Sequence, residues 1–172
     1  MSVIVKRIFI LLICAFLLIS CEKDSNDDHK VYFEHYAINY AWGFSYVHWI
    51  IDNEGNVLTN RKNDSFISFS DNLSYAKILF DSVIYKIDKQ ELEQYVALIE
   101  PASKGELDSI PRSRADFGGT VFNCFLYNNI NNSYKTILLS QMSDVMDIIN
   151  TDSSAKKIDK WLIDIHQKIY SN

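Results

Sequence analysis

The sequence predicts a single α+β domain, built on an antiparallel sheet of about five strands with two main helices on one face. Stretches rich in β-branched and aromatic residues follow one another with short polar turns between them, which is typical of antiparallel strands. Two other segments carry apolar residues at helical spacing, and they stand apart from the strand pairs instead of alternating with single strands. The chain after its leader, about 140 residues, suits one domain.

The first predicted strands lie between residues 31 and 58. Val31 to Tyr36 predicts a strand, and Ile38 to Asp52, rich in aromatic and β-branched residues, predicts a second one. Residues 53–56 predict a turn with Gly55 at positive φ, so that Val57 and Leu58 return as part of a hairpin. Residues 59–72 predict a loop with a short strand, and residues 76–87 predict one or two strands.

The first predicted helix follows Asp88, which can cap it together with Glu91 three residues later. Pro101 and Gly105 end this helix near Glu100. Its apolar face consists of Leu92, Tyr95, Val96 and Ile99. A loop over residues 104–119 is expected to follow.

The second half predicts two more strands and the other main helix. Thr120 to Tyr127 and Tyr134 to Ser140 are the strands, joined by an asparagine-rich turn. Ser143 to Asn150 predicts a short helix. Ser153 or Ser154 is expected to cap the last helix, whose apolar stripe is Ile158, Trp161, Leu162, Ile165 and Ile169.

The N-terminus carries the three parts of a secretory signal peptide: Lys6-Arg7, an apolar run of 12 residues from Ile8 to Ile19, and Ser20 before Cys21. Leu18-Ile19-Ser20-Cys21 resembles a lipobox, the site at which bacterial lipoproteins are diacylated on cysteine and cleaved before it. The resemblance implies a signal peptide over residues 1–20 and a mature chain that is bound to a membrane by lipid on Cys21, with palmitate-type acyl chains as the anchor.

Two alternatives stand beside lipidation. One is an uncleaved membrane anchor, although 12 apolar residues form only about 18 Å of helix and a bilayer core is about 30 Å thick. The other is secretion with Cys21 unmodified. Residues 21–30 are dense in charge and predict a disordered tether. Their acidic stretch resembles the segment that directs lipoproteins of the Bacteroidetes to the outer face of the outer membrane, but it also fits a solvated spacer, so either leaflet, cell surface or periplasmic, remains open.

The charge and cysteine content of the chain limit its partners. Removing residues 1–20 takes away two basic residues and no acidic one, so the 17 Lys and Arg become 15 against 22 Asp and Glu, a formal charge of −7. This balance argues against nucleic acid, whose phosphates need a basic surface. Of Cys14, Cys21 and Cys124, only Cys124 would remain free, so residues 31–172 form a domain without an internal disulfide.

The strongest binding candidate is an aromatic stripe in the predicted strand. Alternation places one set of side chains on one face of it: Tyr40, Trp42, Phe44, Tyr46 and His48. An exposed stripe would stack on a sugar ring or anchor a protein partner. The alternatives are that the stripe fills the core, or that Ala41, Gly43 and Ser45 on the other face admit a helix. A second candidate is Arg112-Ser113-Arg114-Ala115-Asp116, which could hold a carboxylate or phosphate, or form a local ion pair on the surface.

The sequence contains no coherent catalytic or metal-binding pattern. Cys124 shares its strand face with Phe122 and Leu126, which predicts a buried, unreactive thiol. The four histidines are widely spaced, the carboxylates are scattered, and residues 52–56 fit a hairpin turn better than a calcium loop. We therefore expect no cofactor and no metal, and a non-enzymatic ligand- or protein-binding domain at the cell envelope. The alternatives are an immunity or inhibitor protein, or a hydrolase of envelope or external polymers.

Overall fold

A computed structural model describes residues 30–41, 43–60, 80–114, 118–128, 130 and 133–171. The predicted signal peptide, Cys21 and nearly all of the predicted tether lie outside these residues. So do Trp42, Asp116, residues 61–72 of the loop with a short strand expected over residues 59–72, and residues 76–79 of the strands expected over residues 76–87.

The described strands form a single antiparallel sheet of eight strands, so the predicted α+β class is confirmed and the predicted number of about five is wrong. The order across the sheet is β4-β3-β2-β1-β6-β7-β8-β5. The strands are β1 Val31–Asn39, β2 Ser45–Asp52, β3 Asn56–Thr59, β4 Ser82–Lys86, β5 Leu107–Pro111, β6 Gly119–Asn128, β7 Ser133–Ser143 and β8 Met146–Asn150. The predicted hairpin turn after β2 is confirmed: Gly55 has a φ of 81°, and Asp52 accepts hydrogen bonds from the backbone of Glu54 and Asn56.

The helices are α1 Lys89–Val96, α2 Ile99–Ala102 and α3 Ser153–Tyr170. Asp88 caps α1 as predicted, by accepting hydrogen bonds from the backbone of Gln90 and Glu91. Asp152, not Ser153 or Ser154, caps α3, because its carboxylate accepts hydrogen bonds from the backbone of Ser154 and Ala155. Among the described residues, no helix is both long enough and apolar enough to span a bilayer.

The helices pack against one face of the sheet and form one apolar core with it. Trp161 of α3 is central to this core: its ring stacks on Tyr95 of α1 at 4.1 Å, and its indole Nε1 donates to Glu91 Oε1 at 2.7 Å. Burial of each large apolar side chain stabilises the fold by about 1.5–3 kcal/mol. The buried sheet residues of this core are Phe33, Trp49, Ile51, Val57, Phe122, Cys124, Ile137 and Leu139.

Three sequence-based expectations are corrected by the fold. The strand expected from Ile38 to Asp52 is interrupted, since β1 ends at Asn39 and β2 begins at Ser45. The short helix expected over residues 143–150 is instead the end of β7, a turn and β8. The loop expected over residues 104–119 contains β5, which pairs with β8.

The two ends of β1 define two poles of the sheet. Nine residues of strand, about 30 Å at ~3.3 Å per residue, separate Lys30 from Tyr40. The strand register brings the end of β5, the start of β6 and the β7–β8 turn to the Tyr40 pole. The β6–β7 turn lies at the Lys30 pole.

Candidate functional site

The connection between β1 and β2 displays two aromatic side chains at the Tyr40 pole. Asn39 Oδ1 accepts a hydrogen bond from the backbone of Ala41 at 2.8 Å, and Gly43 has a φ of 105°, so the chain turns here instead of continuing as a strand. Tyr40 is 68% exposed and Phe44 is 61% exposed. Their ring centroids lie 5.8 Å apart, with the planes inclined by 48°.

The predicted arginine pair binds one buried carboxylate, that of Asp147 in β8. Arg112 Nε donates to Asp147 Oδ2 at 2.7 Å, while Arg114 donates from Nη1 and Nη2 to the two carboxylate oxygens at 2.9 Å each. Desolvation raises the pKa of Asp147, but hydrogen bonds and charge from Arg112 and Arg114 outweigh it and hold this pKa below its usual value. The arginines are therefore held in place and still partly exposed, with side-chain exposures of 41% and 31%.

Backbone hydrogen bonds fix the same segment against the β7–β8 turn. The N–H groups of Arg112 and Arg114 donate to the carbonyl oxygens of Val145 and Asp144 at 2.9 and 3.0 Å. The Asp144 carboxylate also accepts from the backbone of Gly118 at 3.1 Å. Three separate parts of the chain are thus tied together before any partner binds, which reduces the ordering cost of binding.

These features converge on one surface, which we call the distal patch and define as Tyr40, Phe44, Arg112, Arg114, Val145 and Met146. Val145, at the β7–β8 turn, is 72% exposed. Four strand spacings separate β1 from β5, so the patch extends over ~19 Å at about 4.8 Å per strand. Aromatic residues, methionine and arginine are the types enriched where proteins contact one another. Elsewhere among the residues that the structure describes, a cleft of about 360 Å³ lies beside Lys30 and Tyr127.

Tyr46 and His48 are buried, so the exposed aromatic stripe expected from the sequence does not extend to them. Tyr46 hydroxyl and His48 Nδ1 lie 2.6 Å apart, and His48 Nε2 lies 2.9 Å from Glu34 Oε1. Asn123 donates to the other Glu34 oxygen at 3.0 Å. Burial, followed by the charge of Glu34, raises the pKa of Tyr46, so its hydroxyl stays protonated. In the His48 tautomer with the proton on Nε2, the Tyr46 hydroxyl donates to Nδ1 and Nε2 donates to Glu34.

This network is compatible with a structural role, because each member satisfies a buried polar neighbour. Glu34 is fully buried, and a buried carboxylate is costly unless donors surround it. Of the aromatic stripe predicted from the sequence, Tyr46 and His48 lie in the interior, as one alternative expected. Tyr40 and Phe44 lie on the surface, as the other expected.

Cys124 is buried as predicted, and burial raises the pKa of its thiol to about 12. Such a thiol stays protonated and is a poor nucleophile. On the helical face, His35 contacts His166 with ring centroids 4.5 Å apart. Within the described ranges, no three His, Cys, Asp or Glu side chains are grouped as a metal site.

Sequence reasoning found the arginines and the exposed aromatics but missed Val145, Met146 and the Asp147 partner. The local signal for this partner was Asp147, a carboxylate in the otherwise apolar stretch Met146-Asp147-Ile148-Ile149. The convergence itself depends on the pairing of β5 with β8, which local patterns do not encode.

Comparison with known proteins gives no match: no family model, no curated protein and no solved structure resembles the chain significantly.

Proposed function

We propose that this protein is a lipid-anchored lipoprotein of the cell envelope that binds a protein partner, without catalysis, through the distal patch. One observation carries the proposal: exposed aromatic, apolar and arginine side chains from three parts of the chain lie at the same end of the sheet, opposite Lys30. The predicted lipid on Cys21 would hold the Lys30 pole near the membrane. The distal patch would then face away from it, on the cell surface or in the periplasm.

The geometry favours a protein over a glycan as the partner. A sugar ring stacks on a flat aromatic surface, whereas Tyr40 and Phe44 are inclined by 48° and form a wedge. Exposed aromatic wedges fit pockets on proteins, and a few such residues carry most of the binding energy of an interface. The arginine–Asp147 pairs at the edge would align the partner through hydrogen bonds.

Photocrosslinking in intact cells tests this proposal. A photoactivatable benzoylphenylalanine replaces Val145 in the distal patch and, as the matched control, Leu107, which is also exposed but lies at the opposite end of β5 from the arginines. We expect position 145 to give a discrete protein adduct that position 107 does not give. Tyr40→Ala combined with Phe44→Ala should remove that adduct.

The affinity of the purified partner for each variant then measures how much each aromatic side chain contributes to binding. Each aromatic truncation at a central contact costs about 1–2 kcal/mol, so each single variant should raise Kd roughly 5- to 30-fold. An adduct that forms equally from both positions, or that survives the double substitution, would contradict the proposal.

A further inference from the structure

The turn between β6 and β7 displays one apolar side chain, Ile130, at the Lys30 pole. Ile130 is 95% exposed, and its backbone N–H donates to Asn128 Oδ1 at 2.9 Å. Its neighbours in sequence, Asn128, Asn129, Asn131 and Asn132, are uncharged. A single exposed isoleucine is common on proteins and would mean little elsewhere. Its position at this pole gives it significance.

The base of the same hairpin contacts the residues at which the predicted tether ends. Lys30 Nζ lies 5.2 Å from the centre of the Tyr127 ring, and the backbone N–H of Val31 donates to the Tyr134 hydroxyl at 3.2 Å. The rings of Tyr127 and Tyr134 lie 4.8 Å apart. Tyrosine and lysine are the residues that sit well at the level of lipid headgroups.

The length of the predicted tether limits how far this pole can lie from a bilayer. Residues 22–29 separate Cys21 from Lys30, and that length spans at most about 32 Å when fully extended. Lys30 lies beside Tyr127, and Ile130 follows Tyr127 by three residues, after β6 has ended at Asn128. Ile130 is therefore within reach of the membrane surface that the lipid would enter.

We propose that Ile130 makes a membrane contact, in which its side chain enters the outer part of the lipid layer and Tyr127 and Tyr134 lie at the headgroups. The ligand is a zwitterionic lipid surface, since the acidic chain disfavours anionic headgroups. This inference rests on the lipid anchor of the proposed function. A lipid anchor binds the membrane more tightly when the domain makes a second contact, and the two contacts together restrict how the domain tilts. The distal patch is then oriented outward.

An environment-sensitive fluorophore tests this contact on the lipidated, full-length mature protein. Cys124 is buried and Cys21 would be blocked by lipid, so a new cysteine is the reactive thiol. The probe is the NBD fluorophore attached to Ile130→Cys, and the matched control is the same label on Val145→Cys at the opposite pole. Both proteins are placed in vesicles of phosphatidylcholine and phosphatidylethanolamine.

We expect label 130 to shift its emission to shorter wavelength and to be quenched by nitroxide-labelled lipids, while label 145 does neither. Flotation of the vesicles reports the anchor separately. If the protein floats with the vesicles and label 130 behaves like label 145, the membrane contact is wrong and the anchor stands. If the protein does not float, both the anchor and the contact are overturned.

Discussion

At the scale of single residues, the two buried histidines of β1 and β2 differ in how their ring nitrogens are satisfied. His48 has a partner at each nitrogen, Tyr46 and Glu34. His35 Nδ1 donates to the Val121 carbonyl at 3.2 Å, but its Nε2 is buried without a hydrogen-bond partner among the described residues. His35 also stacks on Phe122 at 4.4 Å. An imidazole in such surroundings is stable only when neutral.

This difference predicts a loss of stability in mild acid. Burial, followed by the charge of the nearby His166, lowers the pKa of His35 from 6.5 to about 3. Between these values the unfolded chain binds a proton that the folded protein does not, so unfolding is favoured as the pH falls. Stability from this group is complete above pH 6.5 and declines towards pH 3. It should fall by about 2 kcal/mol between pH 7 and pH 5.

Urea unfolding of the wild type and of His35→Gln at both pH values measures this effect. Glutamine keeps a donor for the Val121 carbonyl but has no proton to gain. Burial also lowers the pKa of His166, so the wild type should lose more stability in acid than His35 alone explains. The His35→Gln variant should still show the smaller acid-induced loss that is due to His166. The same pH dependence in both proteins would show that His35 is not the group responsible.

At the scale of elements, two adjacent glycines, Gly118 and Gly119, lie where β6 begins beside the end of β1 at the Tyr40 pole. Gly118 has a φ of 80°, and a Cβ built on it would collide with the Ile38 carbonyl oxygen. A Cβ on Gly119 would meet Met142 O at an ordinary 3.8 Å. Gly118→Ala should therefore lower the free energy of unfolding by about 1–3 kcal/mol, and Gly119→Ala should change it by much less. Thermal unfolding of the two variants checks this, and equal losses would refute it.

The same elements show what the sequence could predict about the fold and the site. Helices α1 and α3 are predicted because a regular apolar stripe is a local signal, and the Asp88 cap adds to it for α1. The short apolar run over residues 146–150 fits both a helix and a strand, and only its pairing with β5 decides for the strand β8. The break at Tyr40–Phe44 was missed because aromatic residues favour strands, while Gly43 and the Asn39 side chain end β1.

At the scale of the whole molecule, the sheet works as a spacer between two different ends. Lys30, at which the predicted tether would end, lies at one pole, and the distal patch lies about 30 Å away along β1. The strands between them are fixed by the apolar core and by the Glu34 network, so the patch keeps its place relative to Lys30. This separation is why changes at the two poles should act independently.

That independence gives a prediction for the anchor itself. Cys21→Ala should abolish incorporation of labelled palmitate and move the protein from the membrane fraction to the soluble fraction, because Cys21 is the residue that the lipobox resemblance assigns to lipid. Cys124→Ala is the matched control and should keep both properties, since Cys124 is buried in the core. Binding of a purified partner to the distal patch should be equal in the two variants. Continued labelling of Cys21→Ala would refute the anchor, and with it the orientation in which the distal patch faces away from the membrane.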